Sequence, residues 1–364
     1  MIERRMFGSV RLLVTIAMIA TFMLTASQGG AASFGQPAKP GTLSTEQWQS
    51  WRDRFVTLDG RVIDTANKSI SHSEGQGYGL LLSVLALDRA TFTRIWTFTH
   101  NEMLLRDDGL AVWRWDPDSK PHVTDVNNAA DGDILIAYAL ALGGNLWEVS
   151  SWTETSRNMA EAIGQRLVRR VGAHTVLMPG VKGFGPQDRP DGPVLNLSYW
   201  IFEALPVLAR LAPNTDWKAL AASGEGLIRD ARFGSAELPA DWISLKSAKP
   251  ALAAGFEPRF SYDAVRIPLY LLRAGNNDQA LLKPFAKAWG NGTAAPPIFD
   301  LAGDKQIGAL DDPGYRMIGA VLQCALDHKP VPTELRSPKL EVYYPATLYL
   351  LALSAVAQHY PECL

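Results

Sequence analysis

Only two cysteines, Cys324 and Cys363, occur in 364 residues, so neither a multi-bridge disulfide framework nor a cysteine-rich metal site organises the chain. Their spacing leaves open whether the two pair. The six histidines, at 72, 100, 122, 174, 328 and 359, lack metal-ligand spacing, and no H-E-x-x-H or G-x-S-x-G stretch occurs. These absences set aside zinc-dependent and serine-nucleophile hydrolysis, and no metal or cofactor is expected. An excess of one charge is lacking too. The 35 Lys and Arg against 37 Asp and Glu leave −2, with no basic stripe, which argues against a nucleic-acid partner. "EGQGYG" follows no strand and lacks the Lys-Ser/Thr of a phosphate cradle. "DVNNAADGD" lacks the regular oxygen ligands and distal Glu of a calcium loop.

Long apolar runs are scarce. The run "LLVTIAMIATFML", Leu12 to Leu24, has 13 residues, where a bilayer span needs about 20. Arg4, Arg5 and Arg11 precede it and the small residues "TASQGGAAS" follow, the layout of a secretory signal over residues 1–32 with cleavage after Ala32. A retained membrane anchor is the alternative. The mature protein is therefore expected to be exported, periplasmic or secreted, monomeric, and without stable membrane insertion. Residues 33–44, "SFGQPAKPGTLS", read as a flexible lead-in, and no interior linker divides 45–364, which is expected to be one domain.

What the chain does have is helical periodicity. Apolar residues recur at three- and four-residue steps near 45–57, 75–88, 90–105, 129–142, 154–170, 198–211, 215–230, 262–273, 277–289, 313–327 and 344–358. Strand signals are short: "LAVWRW", "HTVLMPG" and "DWISL". No fixed-period repeat marks a solenoid. Paired helices with Gly/Pro-rich connections predict an all-α array closed into a ring of inner and outer helices.

Carboxylates in unusual company carry the chemistry. Glu74 follows Ser73, a natural N-cap, and leads a helix with glycines at 75, 77 and 79. Each interior glycine costs about 0.5–1 kcal/mol relative to alanine, so something must approach this backbone closely. As a proton donor Glu74 would need other acids nearby, because the helix dipole alone favours its charged form. Asp131 and Asp133 open another helix. Two positions apart they do not share a face, so at most one points into a common groove. Asp263 and Arg266, three apart in "RFSYDAVRIPLYLL", can touch on one helix face, and a carboxylate kept ionised by Arg266 suits a general base. Of the 11 Trp, Trp113 and Trp115 fall on one side of an extended segment and could stack on sugar rings, with core packing as the alternative.

"SHSEGQGYG", "NNAADGDILIAYAL", "LMPGVKGFG" with "LNLSYW", and "SYDAVRIPLYL" stand in the order seen in glycoside hydrolase family 8. The chain resembles in particular the endoglucanases that accompany bacterial cellulose synthases, over Trp48 to Tyr349. The likeness implies an (α/α)6 barrel and endo-acting, inverting hydrolysis of β-1,4-glucan linked to cellulose production, with the cellulose synthase machinery as a possible partner. By this resemblance Glu74 is the proton donor. Asp263 is the favoured base and Asp131 the sugar-positioning acid, the reverse assignment staying open. Tyr199 and Arg266 would contact sugar or orient Asp263. Gly75, Gly77 and Gly79 would keep the groove floor low, helix packing accounting for one or two of them. Where the family motif has Ser or Thr, this chain has Ala130. The competing readings are a non-catalytic glucan-binding or scaffold protein on the same fold, and the same chemistry on chitosan, xylan or mixed-linkage glucan.

Overall fold

Burial sorts the helices of this chain into two layers. The computed structural model describes residues 34–290 and 294–364. Among them are α1 (Thr45–Phe55), α2 (Ser73–Leu85), α3 (Arg89–Glu102), α4 (Ala130–Leu146), α5 (Ser150–Arg166), α6 (Leu205–Leu211), α7 (Trp217–Asp230), α8 (Arg266–Arg273), α9 (Gln279–Ala288), α10 (Pro313–Asp327) and α11 (Tyr343–His359). Helices α2, α4, α8 and α11 are buried on nearly every side and, with the short α6, make the inner layer. Helices α1, α3, α5, α7 and α9 bury one apolar stripe, as outer helices do, while α10 is buried all round over residues 317–324 where it packs on α11. The all-α expectation of an inner and an outer ring therefore holds.

No sheet closes among the described residues. β1 (Ser71–His72) pairs with β2 (Arg114–Trp115), and β3 (Val168–Val171) with β4 (His174–Leu177). β5 (Val194–Leu195), β6 (Ile243–Ser244) and β7 (Ala251–Leu252) form one three-stranded patch. β8 (Arg259–Phe260), β9 (Pro297–Asp300) and β10 (Lys305–Ala309) form another. These patches sit in the loops.

Three expectations shift for local reasons. The helix expected over 198–211 is a 3-10 turn, Leu197–Tyr199, followed by α6, because Pro206 fits only a first helical turn. Pro268 likewise holds the start of α8 at Arg266, which leaves Asp263 in the preceding turn. The helix expected to reach 170 stops at Arg166, and β-branched Val168 and Val171 join the β3–β4 hairpin.

The lead-in is a correction. Residues 34–44 form no helix, yet they are strapped across the ends of α8 and α11 and reach the middle of α4. Gln36 N donates to Ala274 O, Ala38 N to Tyr138 Oη at 2.6 Å, and Lys39 N to Gln358 Oε1. Under this strap Arg273 clamps Glu203 with bonds of 2.7 and 2.9 Å and donates to Leu351 O, a fully buried ion pair. Cys324 and Cys363 are joined by a disulfide that ties α10 to the last turn of the chain. Bridging a separation of 39 residues contributes about 4 kcal/mol in the chain-entropy picture. The expected secretory signal and its cleavage point lie outside the described residues. No helix among the described residues is long and apolar enough to cross a membrane.

Candidate active site

The inner helices begin at one end of the barrel, and the expected acids are there. Glu74 lies in the first turn of α2, Asp131 in the first turn of α4, and Asp263 just before α8. The side chain that gathers them is Arg266, only 2% exposed. Its Nη1 contacts Glu74 Oε1 and lies 3.5 Å from Asp131 Oδ2, and its Nη2 lies 3.0 Å from Asp263 Oδ1. Nη2 also donates to Ser198 Oγ at 2.8 Å, and the tyrosine rings of Tyr199 and Tyr344 lie 5.8 and 5.9 Å from the guanidinium carbon. Carboxylates from positions 74, 131 and 263 thus converge on one guanidinium.

Each acid is held differently. Tyr78, one helical turn on, donates to Glu74 Oε1 at 3.2 Å and bonds Tyr270 Oη at 2.5 Å. The cap of α2 is His72, not Ser73: its Nδ1 accepts from Gly75 N at 3.0 Å and lies 3.7 Å from Glu74 Oε2. The other ring nitrogen, Nε2, lies 3.7 Å from Asp64 Oδ2. Asp131 is 4% exposed, and Gly132 N donates to its Oδ1 at 2.8 Å. Burial pushes its carboxyl up to about 6, against the pull of the Gly132 amide and of His72. Asp133 turns away from the groove, accepting from Ala111 N and Asn128 Nδ2, and burial pushes it up to about 7. The two acids do part company, as their spacing requires.

Asp263 keeps 32% of its side chain open. Burial of its carboxyl, then the like charges of Asp241 and Asp131, push it well above the ordinary carboxylate range, while Asn196 and Trp242 pull the other way. The expectation that Arg266 keeps Asp263 ionised meets an opposing effect: one guanidinium serves three acids, while burial and the like charges of Asp241 and Asp131 raise the Asp263 carboxyl. Asp241 is a positioning residue that sequence reasoning missed. Its Oδ1 accepts from Ser261 N and Ala264 N, and its Oδ2 meets Ser261 Oγ, which pins the turn carrying Asp263. Its signal was an acid at the start of the short apolar segment "DWISL".

Packing, expected to account for one or two of the glycines, accounts for all three. A Cβ at Gly77 would overlap Leu135 Cβ, one at Gly79 would stand 2.6 Å from Val62 Cγ2, and one at Gly75 would stand 2.9 Å from Tyr343 Oη. All three face protein. On the opposite helix a Cβ at Gly132 would overlap Ser73 Oγ. Glycine on both partners lets α2 and α4 cross closely, which brings Glu74 and Asp131 to the same guanidinium.

The aromatics divide. Trp113 is half-buried and donates to Asp125 Oδ2 at 2.8 Å, so part of its ring stays open. Trp115 is corrected: it is buried, stacked on His122 at 4.1 Å and covered by the Arg61 guanidinium, and cannot serve as a sugar platform. Tyr199 is half-buried beside Arg266, edge-on to Trp242. Tyr262, next to Asp263, is 54% exposed.

The family model for glycosyl hydrolases family 8 matches residues 14–355. The chain belongs to this family. It is 35% identical over 345 residues to the "Probable endoglucanase" of Novacetimonas hansenii, a match covering 92% of this chain and 98% of that one. Among solved structures, the endo-β-1,4-glucanase CMCax from Acetobacter xylinum superposes with a TM-score of 0.78 at 34% identity, covering 86% of this chain and 98% of that one. The endoglucanase from Komagataeibacter sucrofermentans gives 0.78 at 37% identity with the same coverage. As a glycosyl hydrolase family 8 member, the protein carries its cluster of carboxylates where the inner helices begin. Ala130 takes no part in capping α4, whose N-cap, Ala129, has no side-chain bond.

Proposed function

We propose that the protein hydrolyses internal β-1,4 bonds of glucan with inversion at the anomeric carbon. The observation that carries this reading is the meeting of Glu74, Asp131 and Asp263 at Arg266, beside half-open aromatic rings. Glu74 gives its proton to the glycosidic oxygen as the C1–O bond breaks and the bonding pair leaves with that oxygen. A water attacks C1 from the opposite face and passes a proton to Asp263, giving an α-configured product. Asp263 is favoured over Asp131 as base because its side chain is partly exposed, 32% against 4%, although partial burial still raises its carboxyl above the ordinary range. The buried side-chain amide of Asn196 faces the Asp263 carboxyl and favours its ionised form. Asp131 accepts from a sugar hydroxyl and holds the ring, and Arg266 fixes the spacing of all three acids. Tyr199, Trp113 and Tyr262 offer faces to neighbouring glucosyl units.

Export to the periplasm or medium is part of this proposal. It is supported by the basic, apolar and small-residue order of the first 32 positions and by the Cys324–Cys363 bridge, which suits an oxidising compartment. A role beside a cellulose-producing machinery, as a monomer, rests on the motif resemblance. Loss of cellulose yield or altered fibre form in a deletion strain would test it. For the reaction itself, the mature protein is incubated with cellulose, lichenan, xylan and chitosan in parallel, and the first product is read by proton NMR. Shortened β-1,4-glucan with an α-anomer first is the expected result. A β-anomer first would remove inversion, and binding without cleavage would leave a glucan-binding protein.

A pH profile tests the base. The acid limb of kcat/KM reports ionisation of the base in the free enzyme. Since Asp263 is raised above its ordinary value of 3.8, activity should appear only as pH rises through a correspondingly higher range. Asp241→Asn keeps the acceptor for Ser261 N and Ala264 N and can donate to Ser261 Oγ, while removing a like charge. Its acid limb should move to lower pH with little change at the optimum. An unmoved limb would exclude Asp263 as the titrating base.

A further inference from the structure

Away from the three acids, the last residue of α5 and strand β3 bring three arginines to the lining of one cavity. Arg166, Arg169 and Arg170 line a space of about 380 Å³ together with Val171, Met178 and Val181. That volume lies in the range of small-molecule sites. Among the described residues, none of the three arginines has a carboxylate within ion-pair distance. Arg169 donates to the carbonyls of Gln165 and Val168, Arg170 to Gly172 O and more distantly to Thr175 Oγ1, and Arg166 makes no hydrogen bond. Asp108 is engaged by Arg106 at 2.5 Å and also feels the charge of Arg166. Three arginines lining one cavity, in a chain whose net charge is −2, are a local concentration of positive charge.

The cavity's position matters. Val181 N donates to Asn128 Oδ1, and Asn127 Nδ2 donates to Lys182 O, so its wall is bonded to the segment leading into α4. On that segment Asp125 holds the indole of Trp113. A second cavity, of about 410 Å³, shares Arg166 and is lined by Arg106, Asp107 and Asp108 together with the exposed Leu105 and Val126. The two cavities meet at Arg166.

We infer that Arg166, Arg169 and Arg170 form an accessory binding site for a saccharide bearing carboxylate groups. Guanidinium forks match carboxylates two bonds at a time, and the valine and methionine in the lining suit the apolar face of a sugar ring. The site is separate from the catalytic acids, so it does not depend on their assignment.

The test is calorimetric titration of the whole mature protein with triglucuronate, cellotriose and inorganic phosphate at 20 and 500 mM salt. Triglucuronate should bind at low salt and weaken about tenfold or more both at high salt and in the Arg166→Ala/Arg170→Ala variant. Turnover of neutral lichenan by that variant should equal wild type, which separates this result from failure of the proposed reaction. Equal triglucuronate binding by variant and wild type would overturn the site. Phosphate binding as tightly as triglucuronate would overturn its saccharide character, and no binding of triglucuronate at all would overturn the inference outright.

Discussion

Glu74→Gln is expected to lower turnover of β-1,4-glucan by on the order of 10³-fold while leaving the fold and oligosaccharide binding in place. Glutamine matches glutamate in shape and still accepts from Tyr78 through Oε1, so the first turn of α2 has no steric reason to move. What it lacks is a transferable proton. The loss should therefore depend on how much the leaving group needs one. Cellobiosyl fluoride, whose leaving group departs without protonation, should be turned over far better by the variant than natural glucan is. If the variant cleaves natural glucan at close to the wild-type rate, Glu74 is not the donor. If it fails equally on the fluoride, Glu74 has another role.

The second large effect is expected at Arg266. Arg266→Met leaves Glu74, Asp131 and Asp263 crowded together without their shared cation. Removing one partner of a buried ionic cluster costs about 3–5 kcal/mol, and activity should fall with it because no side chain then fixes the spacing of the acids. The pH dependence distinguishes this account from a simple packing defect. Asp131 and Asp263 already bind protons more tightly in the folded chain than in the unfolded one. Without the guanidinium they should do so more strongly still. The folded state then carries more protons than the unfolded state above about pH 4, and stability falls as pH rises. The Tm gap between wild type and Arg266→Met should thus be small near pH 4 and widen toward pH 8. A gap constant with pH would place the defect in packing. Arg266→Lys should recover part of the stability but little activity, because one ammonium cannot fork between acids on three elements.

Much of this site was legible in the sequence because its acids sit at helix starts, where apolar periodicity begins and can be read directly. Asp131 and Asp133 were separable by the geometry of a helix alone. The glycines of α2 were only partly legible because sequence shows only that space is needed, not who occupies it, and the occupants are Leu135, Val62 and Tyr343. Trp113 and Trp115 look equivalent on an extended segment, yet His122 and Arg61 cover one of them. Asp241, Asn196 and Trp242 reach Asp263 from loops with no periodic pattern, so nothing local announced them.

By itself the sequence determined that the chain is helical, in which order its helices run, and which acids open them, because those properties depend on residue spacing within single turns. Only the tertiary structure decided that acids up to about two hundred positions apart share Arg266, that the lead-in straps the ends of α8 and α11, and that Cys324 meets Cys363. Those outcomes depend on how helices cross and where loops return, and close crossing is set by which side chains are absent on both partners at once.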